Sequence, residues 1–575
     1  MKITRIIMLA AGFIMVTTVA CRDEFLEVAP AASLSESELA SRNGLEGTLI
    51  GAYSQLLGKN GFYSDASNWF WGSVLGMEAN KGSDPGDQSQ VNEIQLYDVQ
   101  VNNGSVLEKY RATFEGVARA NAVLKLIPQT EGVDEATLNR IAGEARFLRG
   151  NYYFDLKRNF NNVPYIDETW DEVTPVANDQ DLWPFIEADF QFAFENLPET
   201  QGQAGRANKW AAAAYLGKTF LFQEKWADAK RMFDQVIASG VNANGDKYRL
   251  LDDYAALFRS TNDNNAETVF SVQAAAGTGS IDNANPALVL NFPHGSSGPE
   301  RPGGCCGFNQ PSFDLANSFR TTAAGLPLLD DSYNSPANRL DTDQGLGSGD
   351  AFTPDQGPVD PRLDHSIGRR GIPYLDWGPH PGRDWIRNQP NGGPYSPKKF
   401  VYYKAGIGIE NDGSSWTPGY TALNYYVMRY ADVLLMAAEA EAQLGNLQQA
   451  TELVNQVRER ADNAPVLTED GDPAANYVVS PYGTFGSNEQ ALEAIYFERK
   501  LELSGEGHRK YDLVRWGIAA EEINRILANE KQYLADAYAG ATFEAGKDEY
   551  LPIPLFELDL QNEGENIVLT QNPGY

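Results

Sequence analysis

The chain has 575 residues, with 78 acidic against 46 basic side chains and a formal net charge of −32. Such a surface repels phosphates and other anionic surfaces, which argues against nucleic acid as a partner. The length leaves no shortage of core, while three cysteines and four dispersed histidines supply neither a disulfide framework nor zinc-type ligand spacing.

Met1 to Ala20 open with Lys2 and Arg5, continue as an apolar run from Ile6 and end in small residues before Cys21. This is the outline of a bacterial lipoprotein signal, with cleavage leaving the Cys21 thiol as acceptor for a diacylglycerol. An ordinary secretory leader followed by a chance cysteine is the alternative. The apolar run is broken by Gly12, Thr17 and Thr18 and is shorter than the roughly 20 residues that span a bilayer, so no transmembrane anchor is expected. Thr18 stands where lipoprotein signals more usually carry an aliphatic residue. Residues 22–27 are acidic and resemble the signal that sends Bacteroidetes lipoproteins to the outer face of the outer membrane. Residues 1–20 are thus read as the leader and 21–33 as a lipidated tether.

Residues 34–260 form an N-terminal helical part. Leu39, Leu45, Leu49 and Tyr53 follow a rough helical period, and a Gly-, Ser- and Asp-rich excursion with embedded aromatics occupies residues 58–104. Helical periodicity returns over 106–126 and 135–160. Residues 207–239 read as two helices joined at Glu224 and Lys225, with Gly217, Phe220, Ala229, Phe233 and Val236 at tetratricopeptide offsets. Ala438, Ala450, Val454 and Val457 repeat that spacing around a turn at Gly445 and Asn446, which predicts a mainly α, tetratricopeptide-like superhelix. Between the two pairs, residues 261–420 are rich in Gly, Pro, Asn and Asp without sustained period: a large loop-rich insert. Residues 421–575 return to helices, with the stretch 488–516 broken near Gly505 and Gly507. Within the insert, the adjacent Cys305 and Cys306 allow a strained vicinal disulfide, though two buried thiols serving as small packing residues are the favoured reading.

At this level the sequence resembles the SusD/RagB family of nutrient-capturing surface lipoproteins. The resemblance rests on Cys21 with Asp23, Phe25 and Leu26; on Arg429 to Met436 followed by Ala438 to Ala440; and on Glu498-Arg499 to Leu503, Gly507 to Arg509, Asp512-Leu513 and Arg515 to Gly517. Pro361 to Asp364, Leu551 to Pro554 and the terminal Gln571 to Tyr575 belong to it as well, and Ser504 departs from it, since the family commonly has an aromatic there. The resemblance implies a tetratricopeptide-like scaffold with variable loops. It also implies a partner, a TonB-dependent outer-membrane barrel of the SusC type over which the lipoprotein sits as a lid. No cofactor or metal is implied. By their own chemistry, Glu498, Arg499, Glu502, Arg509, Asp512 and Arg515 read as ion pairs that dock helices rather than as a catalytic set. The chain lacks a nucleophile elbow, a His-Glu-x-x-His helix and a phosphate loop, and carboxylate pairs such as Asp84 and Asp87 arise by chance among so many acids. Catalysis is therefore not expected.

A sugar ring offers a face of C–H groups and a rim of hydroxyls, so its binding site wants an exposed aromatic beside polar side chains. The first candidate is Asn68-Trp69-Phe70-Trp71, with Asp84 further along. In an extended chain three consecutive aromatics cannot share one side, so at least one packs inward; the alternative is that all are core. The second is the turn-rich segment 374–388, with Tyr374, Trp377, His380, Arg383, Asp384 and Trp385; its alternative is a loop that staples the insert to the scaffold. Arg301 and Trp416 complete the candidates. The expected function is capture of an oligosaccharide or polysaccharide and its delivery to the barrel, from the cell exterior. Peptide binding on the same architecture, or a tetratricopeptide scaffold that docks protein without capturing nutrient, are the competing readings.

Overall fold

The computed structural model describes residues 39–58, 61–171, 173–295, 300–562, 564 and 566–575. Cys21, the leader and the tether lie outside the described residues. The scaffold begins with α1 (Arg42–Ser54), capped by the Ser41 side chain on the Gly44 amide, and continues with α2 (Gly104–Leu126), α3 (Glu135–Phe160) and α4 (Trp183–Asn196). Next come α5 (Lys209–Leu221) and α6 (Trp226–Ser239), then, beyond the insert, α7 (Tyr430–Gln443), α8 (Leu447–Asp462) and α9 (Asn488–Glu502). Shorter helices α10 (Arg509–Arg515), α11 (Ala519–Glu530) and α12 (Leu555–Gln561) complete it. From α1 to α8 each helix packs on the next, and α9 packs on α7. The stack is therefore continuous across the insert: α6 meets α7 although 190 residues of chain separate them.

The repeat spacing works as steric chemistry. A Cβ on Gly217 would lie 2.7 Å from the Phe233 ring, so only glycine lets α5 and α6 approach this closely. Ala229, Phe233 and Val236 are fully buried, as are Ala438, Ala450, Val454 and Val457 in the second pair. Helix α4 has no counterpart in the sequence reading. Its signal was present: Pro184 in the first turn, then Ile186, Phe190 and Ala193 on one face.

Four strands govern the loops: β1 (Ala79–Gly82), β2 (Thr268–Val272), β3 (Phe308–Pro311) and β4 (Tyr425–Arg429). Antiparallel β2 and β4 pair Thr268 with Arg429 and Val272 with Tyr425, so the insert leaves and re-enters the scaffold through one two-stranded neck. Antiparallel β1 and β3 pair Ala79 with Pro311 and Gly82 with Phe308, which clamps the first loop excursion onto the insert.

A buried ionic network locks the neck. Arg429 contacts Glu267 on the approach to β2 (2.9 Å), Glu502 at the end of α9 (2.6 Å) and Glu506 beyond it (2.8 Å). Arg460 also pairs with Glu502, and Arg362 bridges Asp360, Glu498 and Glu502 at 2.7, 2.7 and 3.0 Å. Burial pushes the Glu502 carboxyl up, but Arg460, Arg429, Arg362 and Lys399 together hold it well below the usual carboxylate range. Nearby, Arg499 joins Asp432 to Asp512, and Arg515 joins Asp512 to Glu439. These charges are thus spent on each other, inside the helical body.

Candidate functional site

The Asn68 to Trp71 cluster is part of the core. Trp69 to Val74 wind into a π-helical turn instead of an extended strand, and protein surrounds the turn, so all three aromatics are buried. The indole N–H groups of Trp69 and Trp71 donate to the carbonyls of Phe62 (3.1 Å) and Tyr63 (2.5 Å), and Asn68 donates to Asp155 (3.0 Å). Gly72 packs against the backbone of Gly507, which fixes this turn to the loop before α10. The expectation of a ligand platform at Asn68, Trp69 and Trp71 is corrected accordingly.

The segment 374–388 folds inward as well. Tyr374, Trp377 and Trp385 form a small core of the insert with Phe292, Val401 and Tyr402. Trp377 is 9% exposed and its indole donates to the Tyr402 carbonyl at 3.0 Å, while the Tyr374 hydroxyl donates to the Pro397 carbonyl. His380 is buried, pairs with Ser396 Oγ at 3.0 Å and accepts the Gly382 amide at Nδ1; burial pushes its pKa down to about 3. Tyr374, Trp377, His380 and Trp385 are therefore structural, because an insert this long needs a core of its own. Arg383 stays exposed and Asp384 half-buried on the same turn.

What reaches the surface is a contiguous band of loops. Arg387, at the end of that segment, binds Asp84 (2.7 Å) and Asp87 (2.5 Å), and Asn388 donates to Asp84 at 3.0 Å. The two sequence segments thus meet, through an arginine not singled out beforehand. His294 lies beside Arg387: an added Cβ on Gly307 would stand 3.6 Å from the Cβ atoms of both. Nδ1–H of His294 donates to the Gly304 carbonyl at 2.9 Å, and burial, the largest influence, pushes its pKa down. The Gly303 carbonyl accepts from Thr417 Oγ1 at 2.5 Å, and the Gly303 amide donates to Tyr402 Oη at 2.9 Å.

In this loop the sulfur atoms of Cys305 and Cys306 lie against each other, the arrangement of a vicinal disulfide rather than of two separate thiols. Arg301, half-buried at the same edge, has its Nε inaccessible and without a hydrogen-bond partner. Next to Thr417 stands Trp416, 57% exposed, its indole N–H donating to Tyr420 Oη at 3.0 Å and its ring edge-on to Tyr420 at 6.3 Å. One outward aromatic, with cationic, amide and carboxylate groups along the adjoining loops, is the arrangement that suits a polyhydroxylated ligand.

Among the described residues no group of three or more His, Cys, Asp or Glu side chains is placed to hold a metal ion. Among them, too, no helix is long and apolar enough to cross a membrane.

A family profile described as "SusD family" matches residues 266–575, and one described as "Starch-binding associating with outer membrane" matches residues 24–221. The SusD-like protein P25 of Formosa agariphila is 26% identical over 548 residues, 92% of each chain. A SusD superfamily protein from Bacteroides vulgatus superposes with a TM-score of 0.67 at 21% identity, covering 93% of this chain and 99% of that one. A laminarin binding SusD-like protein superposes with a TM-score of 0.63 at 24% identity, again over 93% of this chain and 99% of the other. The structural likenesses bear out the tetratricopeptide-like helical fold. With the first profile spanning more than half of its length, the chain belongs to the SusD family.

Proposed function

We propose that this protein is a non-catalytic lipoprotein on the outer face of the outer membrane, anchored through lipid on Cys21. It captures an oligosaccharide or polysaccharide on the loop band around Trp416 and passes it to a SusC-like TonB-dependent barrel. The observation that carries the ligand class is Trp416, the only exposed tryptophan among the described residues. Support comes from the family descriptions, which name starch binding and the outer membrane, and from a relative named for binding laminarin. Arg301, Arg387, Asn388 and Asp84 supply hydrogen-bonding groups along the loops that adjoin the aromatic face.

A tryptophan presents up to about 250 Å² of surface, so the 57% exposure of Trp416 leaves about 140 Å² open. A sugar ring covering half of that would bury about 70 Å², or about 1.8 kcal/mol, a factor of about 20 in affinity. Titration calorimetry of wild type and Trp416→Ala with laminarihexaose and maltohexaose tests this. Wild type is expected to bind at least one of them and the variant to lose about 20-fold, with an unchanged unfolding transition. Equal affinity of the two proteins would remove Trp416 from the site.

A further inference from the structure

A large open cavity lies on the helical scaffold, away from the insert. One chamber of about 610 Å³ and a second of about 450 Å³ share Phe114, Ala118, Ile166 and Trp170 and so form one groove. Its floor is a face of α2 from Tyr110 to Lys125, about 22 Å long at 1.5 Å per residue. Its walls are α12 and the loop between α3 and α4, over its described residues 164–171 and 173–176.

Small residues keep the floor low, and aromatics stand on the walls. Ala118 and Ala122 open the space; Phe114 and Trp170 face both chambers or bound them. Trp170 is held in place rather than left loose: its indole N–H donates to the Thr174 carbonyl at 2.8 Å. The Asp171 carboxylate ties down that turn through the Val173 and Thr174 amides and the Thr174 hydroxyl at 3.1, 2.9 and 2.7 Å. Near the α12 end, Phe556 is 53% exposed under Arg111, whose guanidinium lies 4.3 Å from the ring centroid. Asn121 is fully engaged, donating to the Ile166 carbonyl at 2.9 Å and accepting from Arg149 at 2.9 Å, so the loop wall is braced against α2. Asp167, Glu115, Glu557 and Gln561 supply polar groups along the rim.

A preformed cleft of this volume, with rigid aromatic faces and a carboxylate and amide rim, has the chemistry of a carbohydrate groove. An extended peptide fits it less well. The helices α2 and α12 satisfy their own backbone groups, so the groove offers no free strand edge to pair with.

We propose that the groove between α2, the loop between α3 and α4, and α12 is a second saccharide-binding site, which holds another stretch of polymer independently of the Trp416 band. The ligand class rests on the saccharide reading of that band. The test is affinity electrophoresis of the full chain through gels containing laminarin or starch. It compares wild type with Trp170→Ala, Trp416→Ala, the double variant, and Ala122→Arg, which fills the groove while leaving Trp170 in place. Each groove variant should lose at least threefold in retardation, Trp416→Ala should keep a residual retardation, and the double variant should keep none. The proposal is overturned if Trp170→Ala and Ala122→Arg migrate as wild type, or if Trp416→Ala alone abolishes all retardation. If wild type is retarded by neither polymer, the saccharide reading fails for both sites. If wild type and Trp416→Ala differ while the groove variants do not, only the second site falls.

Discussion

Replacing Arg429 by Met is the sharpest test of how the insert is held. Arg429 is 1% exposed at its side chain and reaches Glu267, Glu502 and Glu506 at 2.9, 2.6 and 2.8 Å, besides donating to the Glu502 carbonyl at 2.7 Å. Methionine fills similar volume but returns no charge and no donors. The three carboxylates are not abandoned, because Arg460 remains on Glu267 and Glu502, Arg362 on Glu502 and Lys399 on Glu506. Removing one partner from a buried pair destabilises by about 3 to 5 kcal/mol, and the surviving cations place this case at the lower end, about 3 kcal/mol. Urea unfolding at pH 7, followed by tryptophan fluorescence and circular dichroism, measures the loss. Because the network is shielded from solvent, the loss should persist in 0.5 M salt, roughly a condition in which exposed pairs are screened. A loss below about 1 kcal/mol, or one that vanishes in salt, would mean that water reaches the network and that packing alone holds the neck.

Two further predictions concern the body of the fold. Burial pushes the pKa values of His365 and His508 down to about 4, and that of His380 down to about 3. Folded values below the ordinary 6.5 favour the neutral rings, so their stabilising contribution is complete above about pH 6.5 and is lost as pH falls towards about 4. Between pH 7 and pH 5 these three rings should therefore pull the urea midpoint down, against Glu78 and Glu530, whose carboxyls burial raises to about 7 and which pull it up. Relative to wild type, His365→Gln, whose side-chain amide can still donate to the Ala464 carbonyl, should therefore gain in midpoint on going from pH 7 to pH 5; an unchanged difference between the two proteins would contradict the assignment. Second, Gly72→Ala should destabilise by about 3 kcal/mol, since its Cβ would lie 1.9 Å from the Gly507 carbonyl oxygen, backbone that cannot step aside. Gly47→Ala, with nothing within 4 Å, is the control and should be neutral or stabilising by up to about 1 kcal/mol in thermal unfolding.

The helices were legible because burial writes itself locally into a periodic face. Over Glu135–Phe160 the spacing alone marked both ends of the helix, and the small-residue offsets of Gly217 and Ala438 located two pairs whose packing depends on them. The ligand surface was far less legible, for a reason that Trp69, Trp377 and Trp385 make plain. Gly- and Pro-rich composition identifies irregular backbone but carries no information on which side of it is wet. Trp377 is buried because Phe292 and Tyr402, remote in sequence, come to meet it, and Trp69 because a π turn carries it into the core. Conversely, Asp84 acquires a role only when Arg387 arrives from about 300 residues downstream. Exposure, unlike periodicity, is a property of contacts between distant segments.

That distinction bears on how a loop-rich surface can bind anything firmly. A loop that must be ordered by its ligand gives up conformational entropy of about 1 to 2 kcal/mol per residue at the moment of binding. Here the ordering is done beforehand. The neck is fixed by Arg429 and its carboxylates, the first excursion by pairing of β1 with β3, and the outer loops by the Trp377 core, the Gly303 hydrogen bonds and the Arg387 pairs. Apart from the Arg387 pairs, which are themselves at the surface, each device lies beneath or between the exposed groups instead of among them. Trp416 and Arg301 can therefore be exchanged for other side chains without loosening the frame, and the same helical scaffold can present a different ligand surface through substitutions confined to the loop tips.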